Sequence, residues 1–273
     1  MSKLQRKPQN AKIAEGVTLV QDINEANSGL EYVGFKMIDL TQGAIYEESL
    51  SGLECCAVAL AGKISVTAGA KTFENIGTRA SVFEQIPTDS VYIGTGESFT
   101  IKGETGISRV ALCYAKSDKP LDVALIKAED NSIEDRGKYQ NKRHVHNILP
   151  DDSNLAESLL VVEVYTEGGN FSSYPPHKHD VDNLPNESFL EESYYHEINP
   201  GQGFLFQRVY TDDRSLDETM AVENRDVVLV PKGYHPVGVP DGYTSYYLNV
   251  MAGPTKIWKF HNDPDHEWIL ERE

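Results

Sequence analysis

The sequence predicts an all-β protein built as two successive β-barrels, with chemistry confined to the second, and three observations predict it. Short β-branched or alternating runs recur along the chain: CCAVALAGKISVTAG, SVYIGTG, SLLVVEVYTEGG, GFLFQRVYT, RDVVLVPKG and TSYYLNVMAG. Gly, Pro, Asn and Asp punctuate them, which is the pattern of many short strands joined by turns in a barrel or sandwich rather than of alternating strands and helices. A faint internal echo points to two halves. Ser90–Ser98 (SVYIGTGES) and Val227–His235 (VVLVPKGYH) both run from β-branched residues into a glycine turn, with Gly96 on Gly233 and Ser98 on His235.

Taken in order, the first ~40 residues carry no firm pattern, and the polar start MSKLQRKPQN lacks the apolar stretch of a secretory signal. The stretch from about Lys119 to Gly137 is charged, lacks strand character and reads as the connection between halves. We therefore divide the chain at 1–135 and 136–273. All eight histidines (His144, His146, His177, His179, His196, His235, His261 and His266) fall in the second part. The first part therefore cannot hold a histidine metal site and is expected to serve as scaffold or as the interface of a homo-oligomer.

Composition bounds the partners. Against 25 Lys and Arg stand 42 Asp and Glu, a net charge of −17 that repels nucleic acid and anionic membrane surfaces. A small anion is not excluded, because a local arginine can overrule a screened global field. No apolar run approaches the ~20 residues of a membrane helix. Only Cys55, Cys56 and Cys113 are present, an odd and adjacent set that argues against a disulfide framework and for a cytoplasmic setting.

The strongest local signal is Pro175-Pro176-His177-Lys178-His179. Residues i and i+2 of a strand share a face, so one wall can present both imidazoles inward. A second strand-like run, Glu191-Glu192-Ser193-Tyr194-Tyr195-His196, and the turn Pro231-Lys232-Gly233-Tyr234-His235 follow. Three histidines and a carboxylate from separate strands form an N3O set suited to one divalent first-row ion, with Zn, Mn or Fe the expected identities. This order of HxH, Glu and PxG-to-His resembles the two-part cupin motif, with two departures. The gap after His179 is lengthened by DVDNLPNESFLE, and the PxG turn reaches its histidine after one residue rather than two. Glu187 sits among turn formers within that insertion. Of Glu191 and Glu192, the resemblance and the period-2 alternation favour Glu192, which turns Tyr194 and His196 inward beside it.

The other histidines have blander readings. His144-Val145-His146 lacks a carboxylate sequel and reads as a hydrogen-bonded connecting segment. His261 and His266 read as capping or packing residues. For His196 two readings stand: an acid or base lining the pocket, or a hydrogen bond inside the barrel.

With these residues in place the chain resembles the 5-deoxy-glucuronate isomerase family, bicupin enzymes of myo-inositol breakdown. YPPHKHD, NESFLEESYYHEINP, GFLFQRVYTDDRSLDET, DVVLVPKGYHPV, YYLNVMAGP and DPDHEW carry the likeness in the second half. GTRASVFEQIP, VYIGTG and RHVHNIL extend it through the first half and the linker. Gly94 departs from the pattern, standing where the family usually has Pro. Through the metal residues alone the chain is similar, more distantly, to 5-keto-4-deoxyuronate isomerase. The resemblance implies conversion of 5-deoxy-glucuronate to 2-deoxy-5-keto-gluconate, an aldose–ketose isomerisation of a small anionic sugar acid. Such a reaction needs a Lewis acid at the carbonyl, a base and a grip on the carboxylate. Arg208 is expected to supply the grip with Tyr210 beside it, against the alternative of a structural salt bridge to Asp212 or Glu223. His196, Tyr194 and Tyr247 are the expected catalytic groups, and Asn249 is expected to orient substrate. An iron-dependent oxygenase and a non-catalytic storage cupin are the rival classes.

Overall fold

The longest strands are apolar on both faces because both faces are buried. In Leu53–Ala61, Cys56, Val58 and Leu60 point one way and Cys55, Ala57 and Ala59 the other, as pleating dictates. Ile107–Lys116 splits likewise, with Ala111, Cys113 and Ala115 opposite Val110, Leu112 and Tyr114. In the second half, Thr244–Ala252 sets Tyr246, Leu248 and Val250 against Tyr247, Asn249 and Met251.

The computed structural model, which describes residues 2–272, resolves these strands into two sandwiches. In the first, a seven-stranded antiparallel sheet centred on Leu53–Ala61, Ile107–Lys116 and Val33–Thr41 covers a four-stranded sheet of Ile45–Ser49, Ser98–Gly103, Ile64–Ala68 and Lys71–Ile76. In the second, a seven-stranded sheet centred on Glu191–Asn199, Thr244–Ala252 and Leu160–Glu167 covers a four-stranded sheet of Phe171–Ser172, Val237–Gly238, Phe204–Tyr210 and Asp217–Glu223. The all-β expectation holds: the one α-helix among the described residues is Glu25–Ser28. Hydrogen bonding does not close either half into a ring, so each expected barrel takes the form of two facing sheets.

Each sandwich has its own apolar filling, and a third core lies between them. There the two seven-stranded sheets meet back to back, with Phe35 and Met37 against Tyr195, Tyr246, Leu248 and Val161, and the Phe35 and Tyr195 rings 5.5 Å apart. Two buried carboxylates within this interface are paired across it. Arg79 of the first half pairs with Glu163 of the second, which also takes hydrogen bonds from the Tyr246 hydroxyl at 2.7 Å and faces His146 Nδ1 at 3.3 Å. Glu54 accepts the backbone N–H groups of Glu157, Ser158 and Leu159 and the hydroxyl of Tyr92.

Two local expectations need correction. The stretch from Lys119 to Gly137 is not strand-free: it contains Ala124–Ile126 and Ser132–Arg136. Ser132–Arg136 (SIEDR) pairs with Arg143–Leu149 in the second half's sheet, so a boundary after residue 135 runs through a strand. This edge strand is held by backbone pairing while its side chains are mostly exposed, so no buried alternation marks it in the sequence. The chain start also crosses over, Gln5–Arg6 pairing with Val227 and Val228. At Gly94 a Cβ would stand 2.0 Å from the Leu121 carbonyl oxygen, so in this chain the connecting segment packs directly on bare backbone.

Candidate metal centre

The metal-ligand candidates come together through strand parity. On Glu191–Asn199, Glu192 and Tyr194 face the second sandwich's interior. Glu191 faces the opposite way and accepts the backbone N–H groups of Glu31 and Tyr32 at 2.9 and 2.6 Å, so its role is to tie the halves together. The insertion DVDNLPNESFLE folds as a hairpin, Asp180–Asn183 against Glu187–Phe189, that leaves from His179 and returns to the strand of Glu192.

The tautomers of two histidines follow from their partners. His179 Nδ1 lies 2.8 Å from the Leu190 carbonyl oxygen, and His235 Nδ1 lies 2.8 Å from that of Gly233. A carbonyl only accepts, so each Nδ1 carries a proton, and it is Nε2 that is free to act as a ligand once its own proton is displaced. Both Nε2 atoms face the same oxygen, Glu192 Oε2, at 3.2 Å. Three electron-rich atoms thus converge in a buried site, and His235 Nε2 has no hydrogen-bond donor opposite it. A cation at the point of convergence satisfies all three, and the backbone carbonyls on the Nδ1 side are the outer support that metal-binding imidazoles use. The residues therefore fit a divalent ion.

His177 stands at the edge of this group. It is part-buried, its ring centroid 5.0 Å from His235 and 6.3 Å from His179, and it packs on Phe260 at 4.6 Å. Burial, then the neighbouring His235 and His179, push its pKa well below the usual imidazole range, leaving it neutral. Burial opposes ionisation of Glu192, but His179 and His235, when protonated at Nε2, donate to it and hold the carboxyl at about 2. The same contact raises the His179 pKa against burial, and a metal ion would take the place of those protons. Asn249 donates Nδ2 to the other oxygen, Glu192 Oε1, and so fixes the carboxylate plane.

A cavity of about 600 Å³ opens from this centre, lined by His177, Glu192, Tyr194, Tyr247 and Asn249 at its base. Burial raises the pKa of both phenols, so Tyr194 and Tyr247 keep their protons. Three expected site residues lie elsewhere. Arg208 is outside the cavity, its Nε and Nη2 both 2.7 Å from Asp217 and its guanidinium 4.2 Å from the Tyr210 ring centre. On Phe204–Tyr210 the inward positions are Leu205, Gln207 and Val209, which turns Arg208 outward into the salt-bridge role, with Asp217 as partner instead of Asp212 or Glu223. Tyr210 donates its hydroxyl to Asp263 at 2.8 Å, away from the centre. His196 shares the face of Glu192 but lies behind the cavity wall, bonded through Nε2 to Gln207 at 3.0 Å, where burial lowers its pKa to about 4.

Sequence reasoning missed the cavity's outer wall, to which Arg143, Trp258, Phe260 and Ile269 contribute. The signal was available for Arg143: His144 and His146 point to the interface between halves, so Arg143 and Val145 point the other way. It also missed Asp180, whose Oδ2 accepts the Gly233 N–H at 2.8 Å and whose Oδ1 takes Lys178 Nζ at 2.7 Å.

Residues 5–269 match the model of the KduI/IolB family. The chain belongs to this family. Members similar to it include the 5-deoxy-glucuronate isomerases of Listeria monocytogenes serotype 4b, 71% identical, and Bacillus licheniformis, 69% identical, each match covering all of both chains. The crystal structure of an IolB-like protein from Salmonella typhimurium superposes with a TM-score of 0.93 at 48% identity, over 98% of this chain and 99% of that one. Oxalate decarboxylase from Lactobacillus farciminis, at 14% identity and a TM-score of 0.68, covers all of this chain and 91% of its own and shares the fold. Family membership at this identity separates the isomerase from the oxygenase and storage readings, which the fold alone cannot do.

Proposed function

We propose that the chain isomerises 5-deoxy-glucuronate to 2-deoxy-5-keto-gluconate, with one divalent first-row ion held by His177, His179, Glu192 and His235. The substrate is that named for relatives 71% and 69% identical over the full chain. The single observation that carries the metal reading is the convergence of two imidazole Nε2 atoms, each with its Nδ1 committed to a backbone carbonyl, on one carboxylate oxygen. A bound ion would supply Lewis-acid polarisation of the substrate carbonyl, and Zn, Mn and Fe all suit an N3O set.

The chain's own side chains orient the substrate and stabilise its charge. Tyr194 and Tyr247, protonated and on the cavity wall, donate hydrogen bonds to the oxygens that gain charge as the carbonyl moves from C1 to C2. Asn249 holds Glu192. His196, tilted against Tyr247 and stacked on Tyr194 at 5.9 Å, supports the phenols from behind and does not act as the base. The two units are those expected at 1–135 and 136–273, with the strand Ser132–Arg136 belonging to the second. A cytoplasmic setting is supported by three free, buried cysteines, and no helix among the described residues is long and apolar enough to cross a membrane. Association into a homo-oligomer stays part of the reading.

The test is to incubate metal-loaded wild type, His179→Ala and His177→Ala with 5-deoxy-glucuronate, following products by carbon NMR and bound metal by mass spectrometry. Wild type is expected to form the keto acid, and both variants to lose metal and turnover. A His177→Ala protein that keeps its metal but not its turnover would reassign His177 from ligand to proton carrier. Full activity in metal-free His179→Ala would sink the metal centre.

A further inference from the structure

The cavity above the metal centre is cationic in a protein that is strongly anionic. Arg136, Lys138, Arg143 and Arg272 line it, against one carboxylate, Glu192, which is committed to the centre. A chain of net charge −17 that gathers four cations at one opening has shaped a local field opposite to its global one.

Among these cations Arg136 is held by Glu134 at 2.8 Å, whereas Arg143 has no carboxylate partner among the described residues. Arg79, Arg109 and Arg225 are likewise buried or part-buried, and each ends on a carboxylate. Arg143 makes only two hydrogen bonds, from Nη1 to the carbonyl oxygens of Asn141 at 2.9 Å and Tyr174 at 3.4 Å. Most of its five donors are therefore free. Its cross-strand partner is Arg136, a pairing of like charges in which Glu134 neutralises Arg136 at 2.8 Å and no carboxylate neutralises Arg143. Burial lowers the Arg143 pKa, and Arg136 lowers it further. The loop before it is shaped to the same end. Gly137 has φ +86°, and a Cβ there would lie 2.9 Å from Arg143 Nη1 and 1.9 Å from the Asn141 carbonyl oxygen.

We propose that Arg143 binds the carboxylate of the sugar-acid substrate through its guanidinium fork, with Arg136 flanking it, and so fixes which end of the substrate meets the metal centre. This rests on the isomerase reading for its substrate, and on the charge and geometry of the wall for its residue. It replaces Arg208 in that role. The free fork of Arg143 matches a planar carboxylate in two parallel hydrogen bonds, which an ammonium cannot reproduce.

The experiment compares wild type, Arg143→Gln and Arg143→Lys on 5-deoxy-glucuronate and on 5-deoxy-glucose, its neutral counterpart with a hydroxymethyl group in place of the carboxylate. Arg143→Gln is expected to lose about 100-fold or more in kcat/KM on the acid, with bound metal and turnover of the neutral sugar held within about threefold, and Arg143→Lys to recover only part of the loss. Equal losses on both substrates, or none on the acid, would overturn the proposal. Calorimetric titration with glucuronate as a carboxylate probe separates this proposal from the isomerase reading. Should wild type convert neither substrate, glucuronate binding that disappears in Arg143→Gln would uphold Arg143 while the isomerase reading fell. Equal glucuronate affinity in both proteins would refute the anchor whatever the activity.

Discussion

Two neutral imidazoles and a carboxylate that share one point of approach repel unless a cation joins them, so the residues that aim them there carry as much of the design as the ligands. Asp180 is the clearest. Its carboxylate bridges Lys178, between the two histidines of the HxH pair, and the backbone N–H of Gly233, whose carbonyl fixes the His235 tautomer. One side chain thus couples two of the ligand-bearing segments. Asp180→Asn keeps the size but loses the charge that holds Lys178. It is expected to weaken metal binding by about 10–100-fold, the usual cost of losing an outer-shell partner, with the far-ultraviolet circular dichroism spectrum unchanged. A chelator competition titration reads the affinity, and an unaltered affinity would reduce Asp180 to a surface contact of the hairpin. The convergence of His179, Glu192 and His235 was legible in the sequence because strand alternation constrains direction residue by residue. Asp180 was not, because the partner that gives it its role, Gly233, lies 53 residues away in the chain. Arg208 misled for a related reason: a cation near many acids reads alike whether it faces a cavity or solvent, and only the strand's inward set decides.

At the scale of elements, the facing seven-stranded sheets explain why the long strands read as near-continuous apolar runs, and why the sequence could suggest two halves without revealing how they join. Their junction includes one fully buried ion pair, Arg79 with Glu163. Burial opposes the charge on Glu163, but Arg79, then hydrogen bonds from His146, Arg79 and Tyr246, outweigh it and hold the carboxyl at about 2, below its ordinary 4.5. A depressed carboxyl contributes stability above its unfolded pKa and loses it as pH falls, so this contribution fades between about pH 4.5 and pH 2. Glu163→Gln strands a buried guanidinium and is expected to cost roughly 3–5 kcal/mol at neutral pH, while the paired change Arg79→Met with Glu163→Leu costs far less or stabilises. Urea midpoints across pH 2–7 would test both claims. A Glu163→Gln loss that is the same at pH 2.5 as at pH 7 would show that the ionisation of Glu163 contributes nothing to it. The edge strand Ser132–Arg136 illustrates what sequence leaves dark at this scale, since its pairing is made by backbone and no side-chain alternation announces it.

For the whole molecule the decisive feature is the third core. Phe35, Met37 and Val58 of the first half and Tyr195, Tyr246 and Leu248 of the second are buried only because the halves meet. Separated, each half would expose an apolar sheet face, and Arg79 and Glu163 would lose each other. The ends of the chain add to this, since Gln5–Arg6 completes the second half's sheet from the first residues of the first. The two sandwiches should therefore unfold together. Differential scanning calorimetry of the metal-free protein is expected to give one transition, with calorimetric and van't Hoff enthalpies that agree. The same coupling predicts that residues 136–273 expressed alone fail to fold as a soluble, metal-binding unit, because the strand that presents Glu192 inward presents Tyr195 to the missing half. Two resolved transitions, or a soluble second half that binds metal with full affinity, would mean that the histidine-free half is a passenger and not part of the scaffold that holds the site.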